Sequence, residues 1–336
     1  MIKKLFIILV VSAIAGFIAI GVFATLLNQH INQPLTLNEE QLIVIDKGAS
    51  LHSLGNTLIE KNWIEDKFWL KVYGKFYGAE LSPKAGTYSV APQTTLKELL
   101  IHLHQGKEHQ FFITFIEGTT FKEWLTVLSE HPNIKATLSN SEIKDIALAL
   151  GIAQENPEGW FFPDTYAFTA GTSDIEILKR AQQKMNEQLE QLWQSRAEPL
   201  PYNSPYEALI MASIVEKESG QVSEKPIIAS VFVNRLNKKM RLQTDPTVIY
   251  GLGERYDGDI KRSHLREQTA YNTYRINRLP PTPIAMPGLD ALQAVMNPAT
   301  TEYFYFVSQG NGSHVFSTNL KDHNRAVRQY QLGLVD

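Results

Sequence analysis

Glu216, near the end of Tyr206-Glu-Ala-Leu-Ile-Met-Ala-Ser-Ile-Val-Glu-Lys-Glu-Ser219, is the residue best placed for acid–base chemistry. Ala208 to Val215 are apolar or small without a break, so a helix over Tyr206 to Ser219 must be buried nearly all round, and Glu216 is the first ionisable residue after that run. At about 100° per residue, Leu209, Ala212, Ser213, Ser219 and Gly220 share a side with Glu216, whereas Glu218 falls almost opposite with Glu207, Met211 and Ile214. Ser213 and its small neighbours leave room beside Glu216. A carboxyl at the end of a buried helix loses hydration, which disfavours its charged form and lifts its pKa toward the range of a general acid near neutral pH. Taken alone, the helix equally admits an exposed last turn in which Glu216 pairs with Lys217 or Arg235.

The following segments favour the chemical reading. A helix over Ile227 to Leu236 carries Asn234 and Arg235 at its end, and beyond the turn Lys238 to Arg241 comes Leu242-Gln-Thr-Asp-Pro-Thr-Val-Ile-Tyr-Gly251. Then come Tyr271-Asn-Thr-Tyr274 and the proline loop Leu279 to Gly288. Ser213, Asn234, Gln243, Thr244, Asp245, Tyr271, Asn272 and Tyr274 are thus the candidate binding residues. Amide, hydroxyl and tyrosine groups on proline-braced loops suit a neutral polyhydroxyl ligand, tyrosine faces packing on sugar rings and amides bridging hydroxyls. Any one of them could equally be turn or core; the set together argues for a site. Glu158 to Phe168 is a dense aromatic strand and turn, either core at a domain edge or one wall of a carbohydrate cleft.

Other chemistries lack their residues. There is no cysteine, which removes disulfides, thiol nucleophiles and thiolate zinc sites. No Gly-x-Ser-x-Gly, His-Glu-x-x-His or phosphate-binding glycine loop occurs, so neither metal nor cofactor is expected. His314 and His323 read as strand and helix-cap residues. A net charge of -3 gives no general drive toward phosphate backbones, and nucleic acid is not an expected partner.

The elements that position these residues fall into two regions, as 336 residues of ordinary globular composition suggest. A long amphipathic helix over about 173–196 and a proline-rich linker, Pro199 to Pro205, precede the glutamate helix. Tyr303 to Val307 and His314 to Ser317 form a hairpin closed by Gly310-Asn-Gly312. Upstream, three stretches repeat one pattern of β-rich run, turn, Ser or Thr cap and amphipathic helix: Leu42 to Glu60, Gly86 to His104 and Phe112 to Ser129. The Gly-x-Ser/Thr-Leu turn resembles the opening of a LysM-type peptidoglycan-binding module; the region binds sugar or serves as a spacer or docking domain. Its end is expected near Gly151 to Glu158.

Leu5 to Leu27 is 23 residues without charge, about 35 Å as a helix and enough to cross a bilayer. A cleaved signal peptide with a site near Ala13-Ile-Ala15 is the rival, but the apolar run continues well past it. Lys3 and Lys4 then leave the N-terminus cytoplasmic. The expected organisation is a cytoplasmic tip at 1–4, a transmembrane helix at 5–27, a small α/β domain at 28–150 and a catalytic domain at 155–336.

Glu158-Gly-Trp-Phe-Phe-Pro-Asp-Thr, Ala212-Ser-Ile-Val-Glu-Lys-Glu-Ser, Ser230-Val-Phe-Val-Asn-Arg-Leu, Leu242-Gln-Thr-Asp-Pro-Thr-Val-Ile-Tyr-Gly, Tyr271-Asn-Thr-Tyr and Asn297-Pro, in that order, resemble the endolytic murein transglycosylases of the MltG (YceG-like) family. The resemblance implies an α+β protein with one N-terminal transmembrane helix, a LysM-like α/β domain and an α+β catalytic domain facing the periplasm from the bacterial inner membrane. It implies a lyase that cuts β-1,4 bonds between N-acetylmuramic acid and N-acetylglucosamine in nascent peptidoglycan strands and leaves 1,6-anhydro ends. It further implies a role in ending strand elongation beside peptidoglycan synthases (penicillin-binding proteins), with the acid carried over onto Glu216 and the acetamide oriented by Gln243, Asn272 or Tyr274. A lysozyme-like hydrolase using Asp245 as second carboxylate and a noncatalytic murein-binding scaffold are the alternatives.

Overall fold

The uncharged N-terminal run is helical: α1 spans Ile2–Ile31 in the computed structural model, which describes residues 2–78 and 81–334. Its most apolar stretch has a mean hydropathy of 2.9 and no part of it is buried, consistent with a single-pass anchor.

The chain divides into two compact units, with α1 in the first. The first runs up to Phe111 and includes Phe168–Ala170; the second comprises Phe112–Ala167 and the chain from Gly171 on. In the first, β1 (Gln41–Ile45) pairs antiparallel with β2 (Gly86–Val90), Gln41 opposite Val90 and Ile45 opposite Gly86. Between them lie α2 (Leu51–Glu60) and α3 (Phe68–Tyr77), and α4 (Leu96–Gln105) follows. Ile43, Leu54, Leu58, Trp63, Tyr88 and Leu99 fill the core. Two of the expected caps are present: the side chains of Ser50 and Thr95 accept the amide protons of Ser53 and Glu98 in capping boxes, satisfying orphan donors of α2 and α4. Gly48 at φ +83° makes the turn into the first of them.

The third strand-to-helix stretch departs from the expected boundary. β3 (Phe111–Thr114) forms a two-stranded sheet with β4 (Thr165–Phe168), and α5 (Phe121–Glu130), capped by Thr120, packs within the second unit. Trp124 stacks on Phe115 at 3.8 Å, Phe121 stacks on Phe161 at 5.0 Å, and Gly118 N–H donates to the Met286 carbonyl. The aromatic segment after Glu158 is therefore core of the second unit, whose first residue is Phe112, whereas the expected boundary lay near 151–158.

The second unit continues through α6 (Ile143–Ala149), α7 (Asp174–Gln194), α8 (Pro205–Glu218), α9 (Lys225–Asn237), α10 (Asp245–Leu252), α11 (Arg262–Arg266), α12 (Leu289–Met296), the hairpin β5 (Tyr305–Ser308) and β6 (His314–Ser317), and α13 (Leu320–Tyr330). Helices and three small sheets make the fold mixed, as the α+β reading requires. Helix α8 is its axis: Ala208 to Val215 are all buried, packed among α7, α9, α10 and α12. Burying each large aliphatic side chain is worth roughly 1.5–3 kcal/mol, so the rod is held firmly and its last turn is a fixed platform. One expected loop proves helical. Pro246 occupies the first turn of α10, where a missing N–H costs nothing, so Asp245 and Tyr250 ride on a helix.

Candidate active site

Helix α8 starts where Ser204 accepts the Glu207 amide proton and Pro205 presets the first turn; it ends at Glu218, beyond which Ser219 is extended. Its last turn sends two carboxylates opposite ways. Glu216 goes into protein: its side chain is 7% exposed and faces Lys225, whose side chain is 3% exposed, with Nζ 2.8 Å from Oε1. Oε2 accepts the Gly288 N–H at 3.0 Å. Glu117 stands by the same pair, and its carboxyl is raised above the ordinary value, first by burial and then by the negative Glu216. Glu216 thus belongs to a closed ion pair and lies away from the cleft, contrary to the expectation drawn from its small-residue face. Those neighbours are small because they pack: Ser213 is fully buried, donating to the Ile210 carbonyl and accepting the Ile284 N–H.

Glu218 lines a cleft of about 710 Å³ in the second unit. The Thr244 hydroxyl donates to its carboxylate. Burial pushes its carboxyl up to about 7; the Thr244 hydrogen bond and the Arg235 guanidinium oppose the rise and Asp245 adds to it. A carboxyl poised there can give up a proton and take one back near neutral pH. Gln243, Thr244, Asp245 and Tyr274 line the same cleft. Gln243 adopts the left-handed region at φ +53°, a conformation that costs energy for a residue with a Cβ and is common at functional turns. The turn is held by Thr273, whose hydroxyl accepts the Thr244 N–H at 3.0 Å. Tyr274 donates its hydroxyl to Asp245 at 2.7 Å.

Residues 43–329 match the YceG-like family. The chain belongs to the YceG-like family. It is 30% identical over 305 residues to the endolytic murein transglycosylase of Bacillus subtilis (strain 168), covering 86% of this chain and 84% of that protein. It is 25% identical over 341 residues to the protein of the same name from Streptococcus pneumoniae (serotype 2, strain D39), covering 88% of this chain and 60% of that one. The 2.6 Å crystal structure of a putative YceG-like protein from Listeria monocytogenes aligns with a TM-score of 0.54 at 28% identity, over 86% of this chain and 99% of that one.

In this YceG-like chain the remaining expected residues support the cleft from behind. Asn234 donates to the carbonyls of Thr301 and Tyr303, fixing the approach to β5. Asn272, fully buried, donates to the carbonyls of His264 and Glu267, and its Oδ1 accepts the Tyr274 N–H at 3.0 Å, so it aims Tyr274 without lining the cleft. Tyr271 packs on Tyr250 and its hydroxyl lies 2.8 Å from that of Thr282.

The cleft also has a wall that motif reasoning passed over, built by β5, β6 and α13. Arg235 donates to the carbonyls of Phe304 and Leu242, both at 2.6 Å, and its guanidinium lies over the Tyr305 ring. The other partner of Tyr305 is His323, stacked at 5.2 Å, which burial and then Arg235 hold toward the neutral form. His314 is paired with Glu224 at 2.7 Å. The signal available in the sequence was the cluster of Tyr, Phe and His across the hairpin, read there only as strand.

Proposed function

We propose that this chain is a peptidoglycan lytic transglycosylase cleaving β-1,4 bonds between N-acetylmuramic acid and N-acetylglucosamine within glycan strands, with Glu218 as acid and then base. The observation that carries the reading is Glu218 in the cleft with its carboxyl raised to about 7 and hydrogen-bonded by Thr244. The relatives' shared name, endolytic murein transglycosylase, supplies the substrate class.

A single carboxyl can serve twice in this reaction. Protonated Glu218 delivers its proton to the glycosidic oxygen as the C1–O bond breaks, releasing the N-acetylglucosamine hydroxyl. The resulting carboxylate removes the proton from the 6-hydroxyl of the same muramic acid, whose oxygen bonds to C1 and closes the 1,6-anhydro ring. The proton returns to Glu218 and no water is consumed. Asp245 is the second carboxylate that a lysozyme-like hydrolase would use to activate water or form a covalent intermediate.

The finer assignments belong to the same proposal. Gln243, Thr244 and Tyr274 orient the substrate around C1, Glu218 replacing Glu216 as the acid. Helix α1 anchors the protein in the bacterial inner membrane with Lys3 and Lys4 cytoplasmic and both units periplasmic, where nascent strands lie next to the synthases and cleavage ends their elongation. The Gly48-to-Leu51 turn supports a LysM-like role for the first unit in holding glycan. The test is digestion of purified murein by the full-length protein, followed by mass spectrometry. Anhydromuramic ends that disappear in Glu218→Gln sustain the proposal; reducing-end muramic acid would replace it with hydrolysis, and no cleavage at all would favour a binding scaffold.

A further inference from the structure

Helix α3 has the composition of a membrane-surface helix rather than of a soluble one. Five of its ten residues are aromatic: Phe68, Trp69, Tyr73, Phe76 and Tyr77. Yet its one buried residue is Leu70, which faces α2 together with Gly74, where an added Cβ would lie 2.6 Å from the Leu51 side chain. Phe68, Phe76 and Tyr77 are 55%, 67% and 49% exposed. At about 100° per residue, Phe68, Val72, Phe76, Trp69 and Tyr73 sweep one arc, whose far edge at Tyr73 packs against the core of the first unit. Lys71 and Lys75 border that arc at its Phe68 edge, between it and Gly74. Single exposed aromatics are ordinary, but an apolar face carrying Phe68, Phe76 and Trp69 with lysines along one edge is what an interfacial helix presents to lipid.

Trp69 says what covers the face. Its ring stacks on His30 of α1 at 4.5 Å and lies 5.8 Å from Phe23. Phe23 is inside the uncharged run that ends at Leu27, and His30 is just beyond it. Trp69 therefore spans the level at which α1 turns from apolar to polar, where tryptophan and tyrosine gather in membrane proteins because one end of the ring is apolar and the other wet. The aromatic arc of α3 continues the surface that a bilayer would cover on α1.

We propose that α3 lies in the headgroup–acyl boundary of the leaflet from which α1 emerges, with Phe68 and Phe76 among the acyl chains and Lys71 and Lys75 at the lipid phosphates. This rests on α1 being a membrane anchor. Glu65 and Asp66 precede the helix, and Asp66 is occupied in accepting the Phe68 N–H at 2.7 Å. The helix would fix the orientation of the first unit above the membrane, which a single spanning helix leaves free to swivel.

The absence of cysteine makes single-site labelling of the full chain direct. Phe17→Cys, Phe68→Cys, Phe76→Cys and Lys75→Cys, each carrying an NBD fluorophore, are reconstituted in vesicles of 3:1 phosphatidylethanolamine and phosphatidylglycerol. Quenching is read with nitroxide lipids labelled at the headgroup or at acyl carbon 5. The expected result is strong acyl-chain quenching and blue-shifted emission at positions 17, 68 and 76. Lys75→Cys, which keeps every aromatic residue, should be quenched more from the headgroup. Quenching at 17 with water-like emission at 68, 75 and 76 overturns the interfacial helix and leaves the anchor standing. Water-like emission at 17 as well removes the anchor and the proposal together.

Discussion

Two sides of one helix end in α8 carry the same functional group in opposite surroundings. Glu216 meets a buried ammonium and a backbone N–H, so its charge is matched and enclosed. Glu218, one residue further on than Lys217, meets a hydroxyl and an open cleft and feels Arg235 without a salt bridge to it, so its charge is only partly compensated and its proton stays within reach. Burial by itself therefore does not make a general acid. What decides is whether the neighbours supply a full counter-charge, which turns a buried carboxylate into structure, or only a hydrogen bond, which leaves it able to titrate.

The largest effect that would break this contrast is on catalysis. Glu218→Gln keeps the shape and the Thr244 hydrogen bond but cannot exchange a proton, and should lower release of anhydromuropeptides by about 10²–10⁴-fold with no loss of melting temperature, and a gain above neutral pH where the buried carboxyl would otherwise ionise. Glu216→Gln should act on the fold instead. It leaves Lys225 charged and buried without its carboxylate, which costs roughly 3–5 kcal/mol in such pairs, and should show as a much lower melting temperature. The double variant Glu216→Leu with Lys225→Met removes both charges and should regain most of that stability. If Glu216→Gln melted like the wild type and lost all product, the roles of the two residues would be reversed.

Much of the fold was legible because it rests on local signals. The Ser50, Thr95 and Thr120 caps, the uninterrupted apolar run of α8 and the Gly310 to Gly312 hairpin turn are written within a few residues of the structures they make. Helical periodicity also separated Glu216 from Glu218 onto opposite sides. It could not say which side opens, because that depends on Lys225 and Gly288, supplied by other elements. The same limit applies to the binding residues. Gln243, Thr244, Asp245 and Tyr274 line the cleft, whereas Ser213, Asn234, Tyr271 and Asn272, of the same polar types, are turned inward to hydrogen-bond other protein groups. A buried polar side chain must find a partner, and from sequence a brace looks the same as a ligand contact.

A third buried carboxyl sharpens the contrast through pH. Glu158, 3% exposed, accepts the Phe121 N–H and the Tyr250 hydroxyl but among the described residues has no cation in hydrogen-bond reach, and burial pushes it up to about 7 from 4.5. Between those values the unfolded chain loses the proton first while the folded one keeps it. Stability therefore falls as pH rises through this window, by up to roughly 3 kcal/mol at about 1.4 kcal/mol per pKa unit. Glu158→Gln should flatten that part of a melting-temperature profile between pH 4.5 and 8 and be the more stable protein at pH 8. A profile unchanged by the substitution would mean that Glu158 ionises without cost.

The smallest effect tests the second carboxylate of the cleft. Tyr274→Phe removes the hydroxyl that donates to Asp245 and leaves the ring and its backbone hydrogen bond to Asn272 in place. One charge-assisted hydrogen bond is worth about 1.5–3 kcal/mol, an upper bound here because the cleft admits water that can replace it. If Asp245 only orients sugar, kcat/KM should fall by about tenfold, the products should keep their anhydro ends, and Asp245→Asn should do little more. A hydrolase would behave differently, since Asp245 would then activate water or attack the sugar, and Asp245→Asn would abolish cleavage as completely as Glu218→Gln. The two substitutions at one hydrogen bond thus separate a carboxylate that positions the substrate from one that reacts with it.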